Sequence, residues 1–281
     1  MNDILIFGSS GFIGKRIYNF LIEQGFIVKG FSSKTCDLLE RLEIRKALSL
    51  IKSDFSMVIC SSFSRSKTDT LDSMVANIKM IDNIVKEIQC NWLKNIIFMS
   101  SVDIYGSVIN SKRINENTPI LPTGYYGLSK LVCERILNFI KPEIPTTILR
   151  LPGIYGYDDQ YNSVVAKFIK SGILKQEITI TNDGNDLRDY VEISDLCVIV
   201  EHFILNPYDG PINVATGQSK TIYEISKIVI EKLDNGSTIS KGDATSSSIN
   251  LSFDNNLIKS LFPHFNFTDI SSGIERFIEA I

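Results

Sequence analysis

A glycine-rich turn between an apolar run and a helical pattern is the feature that most constrains this chain. Residues 4–7 are apolar, the sequence Gly8-x-x-Gly11-x-x-Gly14 follows, and apolar residues with helical spacing come directly after it. Glycine allows a sharp turn at the end of a buried strand and a close approach of the next helix to the sheet. The helix that starts here presents free N–H groups and a positive dipole end to a phosphate. The segment therefore predicts a dinucleotide site, although glycines at this density also occur in ordinary turns.

Length and composition place the chain among soluble globular proteins. Its 281 residues suffice for one large α/β domain, or for one domain with a small lobe. A hydrophobic content of 44% and a charged content of 22% are ordinary for that class. The net charge of −3 provides no broad basic surface, so we expect no nucleic-acid partner.

The apolar runs and the cysteines bear on the compartment. No run is long enough to cross a bilayer, so we expect no membrane association, and the N-terminus enters a strand without a secretory leader, which favours the cytoplasm. The cysteines form no C-x-x-C pair, so we expect reduced, mostly buried thiols, no disulfide framework and no metal site. They are Cys36, Cys60, Cys90, Cys133 and Cys197.

Beyond the turn, strand-like apolar runs alternate with helical patterns. Strands are predicted at residues 26–31, 55–60 and 95–99, and helices at 39–51, at 69–89 and from Tyr125 onward. This alternation predicts a doubly wound parallel sheet of the Rossmann type, in which ligands lie at the carboxyl ends of the strands.

The end of the second predicted strand bears on the choice of cofactor. An acidic residue there would bind the adenosine ribose, but the chain has Ser32, Ser33 and Lys34. Two hydroxyls and a cation suit a 2′-phosphate, which favours NADP(H), while NAD(H) stays possible because these residues also suit a solvated loop. Asp37 then either accepts a hydrogen bond from the adenine amino group or caps the following helix.

Tyr126 and Lys130 are the candidates for proton transfer. They are four residues apart, so they share one face of a helix. A nearby ammonium lowers the pKa of a tyrosine and brings a general acid/base closer to the working pH. Ser101 follows the fourth predicted strand, and its hydroxyl suits a substrate carbonyl or hydroxyl. A tyrosine and a lysine at this spacing are also common on helix surfaces.

Taken together, these motifs resemble the extended short-chain dehydrogenases/reductases. The narrower resemblance is to the NAD(P)-dependent epimerase/dehydratase family, which acts on nucleotide sugars, and it covers essentially the whole chain. Further matches are residues 149–156 to L-R-x-x-N-V-Y-G, residues 188–195 to R-D-[FY]-V-x-x-x-D, and residues 212–217 to Y-N-V-G-x-G.

The resemblance implies an architecture and an assembly. We expect a Rossmann domain at residues 1–151 with 190–215 and a small C-terminal substrate-binding lobe at 152–189 with 216–281. A homodimer is implied, joined through the helices near residues 69–89 and 125–140.

The resemblance also implies roles for individual residues. Tyr126 would be the acid/base, Lys130 would lower its pKa and hold the nicotinamide ribose, and Ser101 would bind the reacting oxygen. The substrate residues would be Arg65, Asp103, Gly153 and Arg188. Gly153 stands where the family usually has asparagine. The alternative for Arg188 is a surface ion pair with Asp186 or Asp189. The cofactor residues would be Gly8, Ser10, Gly11, Phe12, Ile13, Gly14, Ser32, Ser33, Lys34, Asp37, Leu38, Ser61, Ser62, Asn77, Tyr126 and Lys130.

The residues after Ser101 separate the reactions of the family. The family's 4,6-dehydratases carry Asp-Glu or Ser-Glu at these positions, which supply an acid and a base for the loss of water. This chain has Val102 and Asp103 there, so dehydration is disfavoured. We therefore predict an NADP(H)-dependent reductase of a nucleotide-activated 4-keto sugar, either a 4-keto-6-deoxyhexose or a heptose, in deoxysugar or surface-polysaccharide biosynthesis. The alternatives are an NAD-dependent nucleotide-sugar 4-epimerase and a non-catalytic dinucleotide-binding sensor.

Overall fold

Strands and helices alternate from residue 3 to residue 151 in the computed structural model, which describes residues 3–65, 68–88, 92–107, 113–140, 144–160, 163–242 and 250–281. Up to residue 151 the elements are β1 (Asp3–Phe7), α1 (Phe12–Glu23), β2 (Val28–Phe31), α2 (Arg41–Ser49), β3 (Phe55–Ile59), α3 (Leu71–Glu87), β4 (Leu93–Ser101), a 3-10 helix (Val102–Tyr105), α4 (Tyr125–Ile140) and β5 (Thr146–Leu151). The remaining elements are β6 (Gly153–Tyr155), α5 (Val164–Ile173), β7 (Ile178–Ile180), a 3-10 helix (Asn182–Gly184), β8 (Leu187–Arg188), β9 (Tyr190–Glu192), α6 (Ile193–Leu205), β10 (Gly210–Asn213), β11 (Lys220–Thr221), α7 (Ile222–Leu233), β12 (Ile239–Lys241), α8 (Asn256–Leu261) and α9 (Ile270–Glu279).

The chain forms two compact units, each assembled from several segments. The first unit comprises Met1–Gly106, Ile120–Arg150 and Cys197–Ile212, and the second comprises Ser107–Pro119, Leu151–Leu196 and Asn213–Ile281. These units place residues 107–119, 151, 190–196 and 213–215 in the second unit, whereas the boundaries predicted from the sequence place all of them in the first.

The first unit contains a six-stranded parallel sheet in the order β10-β5-β4-β3-β1-β2. β1 pairs in parallel with β2 on one side and with β3 on the other, and β3 pairs in parallel with β4. The chain thus reverses its direction of travel across the sheet after β2, which makes the carboxyl ends of β1 and β3 a topological switch point. The predicted doubly wound Rossmann sheet is confirmed, and its switch point lies at the predicted glycine turn.

Burial of apolar side chains explains why these segments form the sheet. Ile4, Leu5, Ile6 and Phe7 of β1 are fully buried, as expected for a central strand that is covered on both faces. α1 buries Gly14, Ile17 and Leu21, three positions that recur at helical spacing on one face. α3 begins at the N-cap Thr70, which forms a capping box with Ser73.

The second unit has its own apolar core. β6 pairs with β9 and β7 pairs with β12, both in parallel, and β8 pairs with β11 in the antiparallel direction. The fully buried side chains of Tyr155, Ile169, Val229 and Ile274 come from β6, α5, α7 and α9 and pack together. The second unit thus contains both this apolar core and the paired strands β8 and β11.

Two further findings concern the described residues only. None of the helices observed there is both long and apolar enough to span a bilayer. The cysteines Cys36, Cys60, Cys133 and Cys197 are free thiols, and Cys90 lies outside the described residues.

Candidate active site

The glycine turn of the first unit is shaped by its own packing at two positions. Gly8 has a left-handed backbone, with φ of +88°, and a Cβ atom there would lie 2.7 Å from the backbone nitrogen of Ser61. A Cβ atom on Gly14 would lie 2.1 Å from the carbonyl oxygen of Gly8. Real Cβ atoms do not approach backbone atoms this closely, so the turn admits only glycine at both positions.

Gly11 differs because the protein itself leaves room for a side chain there. Its φ is −76°, and the nearest atom to an added Cβ would be the Gly8 carbonyl oxygen at 3.6 Å. Gly11 is the N-cap of α1, and it provides no side-chain hydrogen bond to the free N–H groups of that helix. An open N-terminus beside the switch point fits the diphosphate of a dinucleotide. Ser10 is exposed in this turn, and Phe12 and Ile13 are the first two residues of α1.

The predicted adenosine-binding residues follow β2. Ser32 builds the turn, because its backbone N–H donates to Thr35 Oγ1 at 2.9 Å and its Oγ accepts from the Lys34 N–H at 3.3 Å. Ser33 and Lys34 have exposed side chains at the carboxyl end of the strand. Their hydroxyl and ammonium are therefore accessible to an anionic group.

Asp37 and Leu38 come next, and both have contacts within the protein. Asp37 Oδ1 accepts from the Leu39 N–H at 2.9 Å, which closes a local turn; the N-cap of α2 is Glu40, so Asp37 does not cap that helix, and its adenine contact stays a prediction. Leu38 is 4% exposed and packs in the core of the first unit, and its carbonyl accepts from Asn83 Nδ2 at 2.9 Å.

Asn77 secures the loop that follows β3. It is 4% exposed; its Nδ2 donates to the Phe63 carbonyl at 3.1 Å and to Ser129 Oγ at 3.3 Å, and its Oδ1 accepts from the Phe63 N–H at 2.8 Å. The amide thus joins the segment of Ser61 and Ser62 to α4. These hydrogen bonds hold that segment in place.

Tyr126 and Lys130 lie one turn apart on α4, with the Lys130 Nζ 5.6 Å from the centroid of the Tyr126 ring. Lys130 is 3% exposed, and its Nζ donates to the Met99 carbonyl of β4 at 2.7 Å. Ser101, at the end of the same strand, is 7% exposed, and its Oγ accepts from the Asp103 N–H at 3.1 Å. The lysine amine is therefore fixed to the strand that carries the candidate serine.

Burial controls the protonation of the candidate acid. It raises the pKa of Tyr126, and the carboxylate of Asp103 raises it further, while a hydrogen bond with Ser62 and the charge of Arg65 lower it. The prediction from the sequence was a lowered pKa, because it considered the ammonium of Lys130 and not the burial of the phenol. The raised pKa keeps the phenol protonated at neutral pH, as a proton donor requires.

Burial also lowers the pKa of Lys130 to about 8, against the raising effects of Cys133, Cys60 and Glu134. Between pH 8 and about 10.5 the unfolded chain binds a proton at this lysine that the folded protein lacks, so the free energy of unfolding rises with pH in that window. Replacement by methionine removes this contribution. The stability of the wild type relative to Lys130→Met is expected to rise by up to about 1.4 kcal/mol per pH unit.

Urea denaturation of the cofactor-free protein at pH 7.5, 8.5 and 9.5, roughly spanning the window set by this pKa, measures that difference. Lys52→Met, which makes the same side-chain change at an exposed lysine, is the control. A constant difference between wild type and Lys130→Met across the range would mean that the lysine titrates normally.

Arg65 and Asp103 form an ion pair in the first unit. Arg65 Nη1 lies 2.9 Å from Asp103 Oδ1, and the arginine side chain is 64% exposed. The structure thus brings two of the predicted substrate residues together. The carboxylate of this pair raises the pKa of the Tyr126 phenol.

The other two predicted substrate residues belong to the second unit. Gly153 is covered by the ring of Tyr190, since a Cβ atom at Gly153 would lie 2.5 Å from two carbons of that ring. Arg188 donates to Asp186 Oδ2 at 3.0 Å and to the Leu187 carbonyl at 2.9 Å. Of the alternative pairings weighed from the sequence, the structure gives the one with Asp186.

Arg188 also lines a pocket of the second unit, together with Tyr190, Gln218 and Lys220. Arg188 and Lys220 occupy opposite register positions of the antiparallel pair β8 and β11, so two cationic side chains meet at this pocket. Among the residues that the structure describes, we find no group of three His, Cys, Asp or Glu side chains that could hold a metal ion.

A comparison with protein families decides the identity of the chain. Residues 4–233 match the NAD dependent epimerase/dehydratase family. The chain belongs to this family. The resemblance stated from the motifs is confirmed.

Relatives of this family member include enzymes of nucleotide-sugar chemistry. It is 25% identical over 233 residues to GDP-6-deoxy-D-talose 4-dehydrogenase of Aggregatibacter actinomycetemcomitans, covering 81% of this chain and 79% of that one. It is 25% identical over 285 residues to dTDP-4-dehydro-6-deoxyglucose reductase of Escherichia coli, covering 89% and 87%. UDP-glucose 4-epimerase of Thermus thermophilus, solved with NAD, shares its fold, with a TM-score of 0.87, 19% identity, and 99% and 98% coverage.

Sequence analysis of this family member missed several polar side chains behind the candidate site. Glu134 and Arg150 form a buried pair in the first unit. Asp69 Oδ1 accepts from the backbone N–H of Tyr126 at 2.8 Å at the start of α4. The available signal was spacing, since Glu134 follows Lys130 by one helical turn and Arg150 lies in a matched family motif.

Proposed function

We propose that the protein is an NADP(H)-dependent reductase of a nucleotide-activated 4-keto sugar, a 4-keto-6-deoxyhexose or heptose, in deoxysugar or surface-polysaccharide biosynthesis. The observation that carries this proposal is a half-buried Tyr126 whose phenol has a raised pKa and which lies beside Lys130 on α4, where Lys130 bonds to the strand of Ser101. Support comes from two relatives named as a 4-dehydrogenase and a 4-dehydro-sugar reductase of nucleotide-linked 6-deoxyhexoses.

The roles of the residues follow from their protonation states. A nicotinamide cofactor held at the glycine turn of Gly8, Gly11 and Gly14 would supply the hydride for the carbonyl carbon. Tyr126 donates its phenolic proton to the carbonyl oxygen, so that the ketone becomes an alcohol. Ser101, whose Oγ accepts from the Asp103 N–H, has its hydroxyl hydrogen free to bind the same oxygen. Lys130, once charged, stabilises the phenolate that is left.

The segment after Ser101 supports reduction over dehydration. Val102 is buried and apolar, so it transfers no proton. Asp103 is the one carboxylate in the 3-10 helix, and it is paired with Arg65. Removal of water from a sugar needs both an acid and a base beside the reacting carbons, and this segment offers a single carboxylate.

Turnover assays test the reductase directly. Purified protein is mixed with NADPH or NADH, and then with GDP-, dTDP- and UDP-linked 4-keto-6-deoxyhexoses, while the nicotinamide absorbance is followed. Consumption of NADPH supports the proposal and identifies the nucleotide. Binding without consumption, together with interconversion of a nucleotide hexose and its C4 epimer, would replace it with the 4-epimerase. Binding with neither reaction would favour a dinucleotide sensor.

The cofactor preference is expected to depend on Lys34. Its exposed ammonium follows β2, where a 2′-phosphate would lie. Lys34→Glu is expected to raise the Kd of NADPH by roughly 10-fold or more and to leave the Kd of NADH within about twofold. Fluorescence titration measures both constants.

Lys52→Glu is the matched control, because it makes the same charge change just before β3, at the amino end of the sheet. Equal effects of the two substitutions on NADPH would mean that only net charge matters. An unchanged preference in Lys34→Glu would withdraw the proposed phosphate contact.

We also propose a homodimer formed through α3 and α4. These helices pack against each other, and the apolar side chains of Leu71, Val75 and Leu128 are 54%, 54% and 39% exposed on them. Exposed apolar side chains on adjacent helices suit a second copy of the same surface. Sedimentation as a monomer at micromolar concentration would contradict the dimer.

A further inference from the structure

Four buried polar side chains form a connected cluster in the first unit. Arg150 donates through Nε and Nη2 to the two carboxylate oxygens of Glu134, at 3.2 and 2.9 Å. Ser100 Oγ donates to Glu134 Oε1 at 2.5 Å, and Arg150 Nη1 donates to the Tyr105 hydroxyl at 2.9 Å. Each of the four residues is less than 4% exposed. The cluster is therefore an internal network with defined bond directions.

The network contacts the candidate catalytic segment on both sides. Ser100 immediately precedes Ser101, and Tyr105 ends the 3-10 helix that carries Asp103. Glu134 follows Lys130 by one turn of α4. Arg150 lies on β5, which neighbours β4 in the sheet. One ion pair thus joins the backbone before Ser101, the helix after it, and the helix of Tyr126 and Lys130.

Stability alone does not account for an ion pair at this place. Removing two charges from water is costly, and apolar residues of similar volume often give equal or greater stability. Apolar contacts are, however, non-directional, whereas a bidentate guanidinium–carboxylate pair with further hydrogen bonds fixes distance and angle. Catalytic hydrogen bonds lose much of their effect when the groups move by about 1 Å. An ion pair that fixes the position of this segment would therefore favour catalysis.

We infer that Glu134 and Arg150 are positioning residues, which clamp Ser100 and Tyr105 and thereby hold Ser101 at a fixed place relative to Lys130 and Tyr126. The inference rests on the proposed reductase for the meaning of that geometry. Glu134 has a second effect, because its charge favours the ammonium form of Lys130, whose pKa burial lowers to about 8.

Ser100→Ala and Tyr105→Phe test the clamp with little change of shape, since each removes one hydroxyl and leaves the ion pair in place. Each is expected to lower kcat by roughly 10-fold, while the KM for the sugar and the Kd of NADPH stay within about twofold. Ser56→Ala is the matched control: Ser56 is fully buried on β3, and its Oγ has no hydrogen-bond partner among the described residues. Wild-type kcat in both test variants would overturn the inference.

Glu134→Gln allows a second measurement, the pH dependence of kcat, which a purely structural role of Glu134 would leave unchanged. Loss of the carboxylate disfavours the charged form of Lys130, so its pKa falls further. The high-pH limb of the kcat profile is expected to shift to lower pH in this variant. A high-pH limb at the wild-type position would mean that the charge of Glu134 does not influence the protonation of Lys130.

The double variant Glu134→Leu/Arg150→Met separates positioning from stability. An apolar pair is expected to restore a thermal midpoint near that of the wild type, because no buried charge is left unpaired. The kcat is expected to stay low, because Ser100 has lost its hydrogen bond to Glu134 and Tyr105 its hydrogen bond from Arg150. Recovery of kcat together with stability would mean that the ion pair only supports the fold.

Hydrogen exchange distinguishes failure of this inference from failure of the proposed function. The amides of residues 100–106 are expected to exchange at least several-fold faster in Ser100→Ala and Tyr105→Phe than in the wild type, with other segments unchanged. A wild type that reduces no 4-keto sugar would withdraw the reductase, and the exchange data would still support or overturn the clamp. Unchanged exchange at residues 100–106 would overturn it.

Discussion

Replacement of Tyr126 by phenylalanine is expected to lower kcat by roughly 10³-fold, within the range of general acid catalysis. The substitution removes the phenolic hydroxyl that the proposed reaction uses as its proton donor, and burial raises the pKa of this phenol, which keeps it protonated. The ring and its packing remain, so the Kd of NADPH should stay within about twofold. Single-turnover absorbance and fluorescence titration measure the two effects separately.

Tyr125→Phe provides the control for this experiment. Tyr125 is the adjacent residue on α4, carries the same hydroxyl and is 45% exposed. It should turn over at the wild-type rate. Activity in Tyr126→Phe equal to that of the control would remove Tyr126 as the acid, and with it the proposed reaction.

Replacement of Gly14 by alanine is expected to lower the free energy of unfolding by roughly 3 kcal/mol and to abolish measurable cofactor binding. A Cβ atom would lie 2.1 Å from the Gly8 carbonyl, so α1 must move away from the turn. Urea denaturation and NADPH titration check the two parts. Full stability in this variant would mean that helix and turn separate without cost.

Gly11→Ala is the matched comparison at the same turn. The backbone at Gly11 suits alanine, and the nearest atom to the new methyl group is 3.6 Å away. Stability should therefore stay within about 1 kcal/mol of the wild type. The Kd of NADPH should nevertheless rise by roughly 10-fold or more, because the methyl group occupies the approach to the helix N-terminus. Unchanged affinity in Gly11→Ala would mean that the diphosphate lies elsewhere.

Local features of the site were predictable from the sequence because they depend on residues close together in the chain. The glycine turn, the i,i+4 spacing of Tyr126 and Lys130, and the alternation of strands and helices are of this kind. Asp37 shows the limit of local evidence. Both its roles were consistent with the sequence, and its bond to the Leu39 N–H became known only from the structure.

The features that could not be predicted depend on contacts between distant residues. Lys130 bonds to Met99, 31 positions away, and Asn77 bonds to Ser129, 52 positions away. The direction of the Tyr126 pKa shift depends on burial, which is a property of the packed fold. The printed partners of Arg150 likewise lie far from it in the chain, on the 3-10 helix that follows β4 and on α4, so these hydrogen bonds became known only from the structure.

The burial of Lys130 implies a trade-off between stability and activity. A lysine that is 3% exposed, with a pKa lowered to about 8, makes the folded state less favourable at neutral pH than an uncharged residue with equal packing would. Residues of this kind persist in proteins where the reaction needs them, and selection for stability alone tends to replace them. A library screened only for heat resistance should therefore accept substitutions at Lys130, whereas one screened for turnover should reject them.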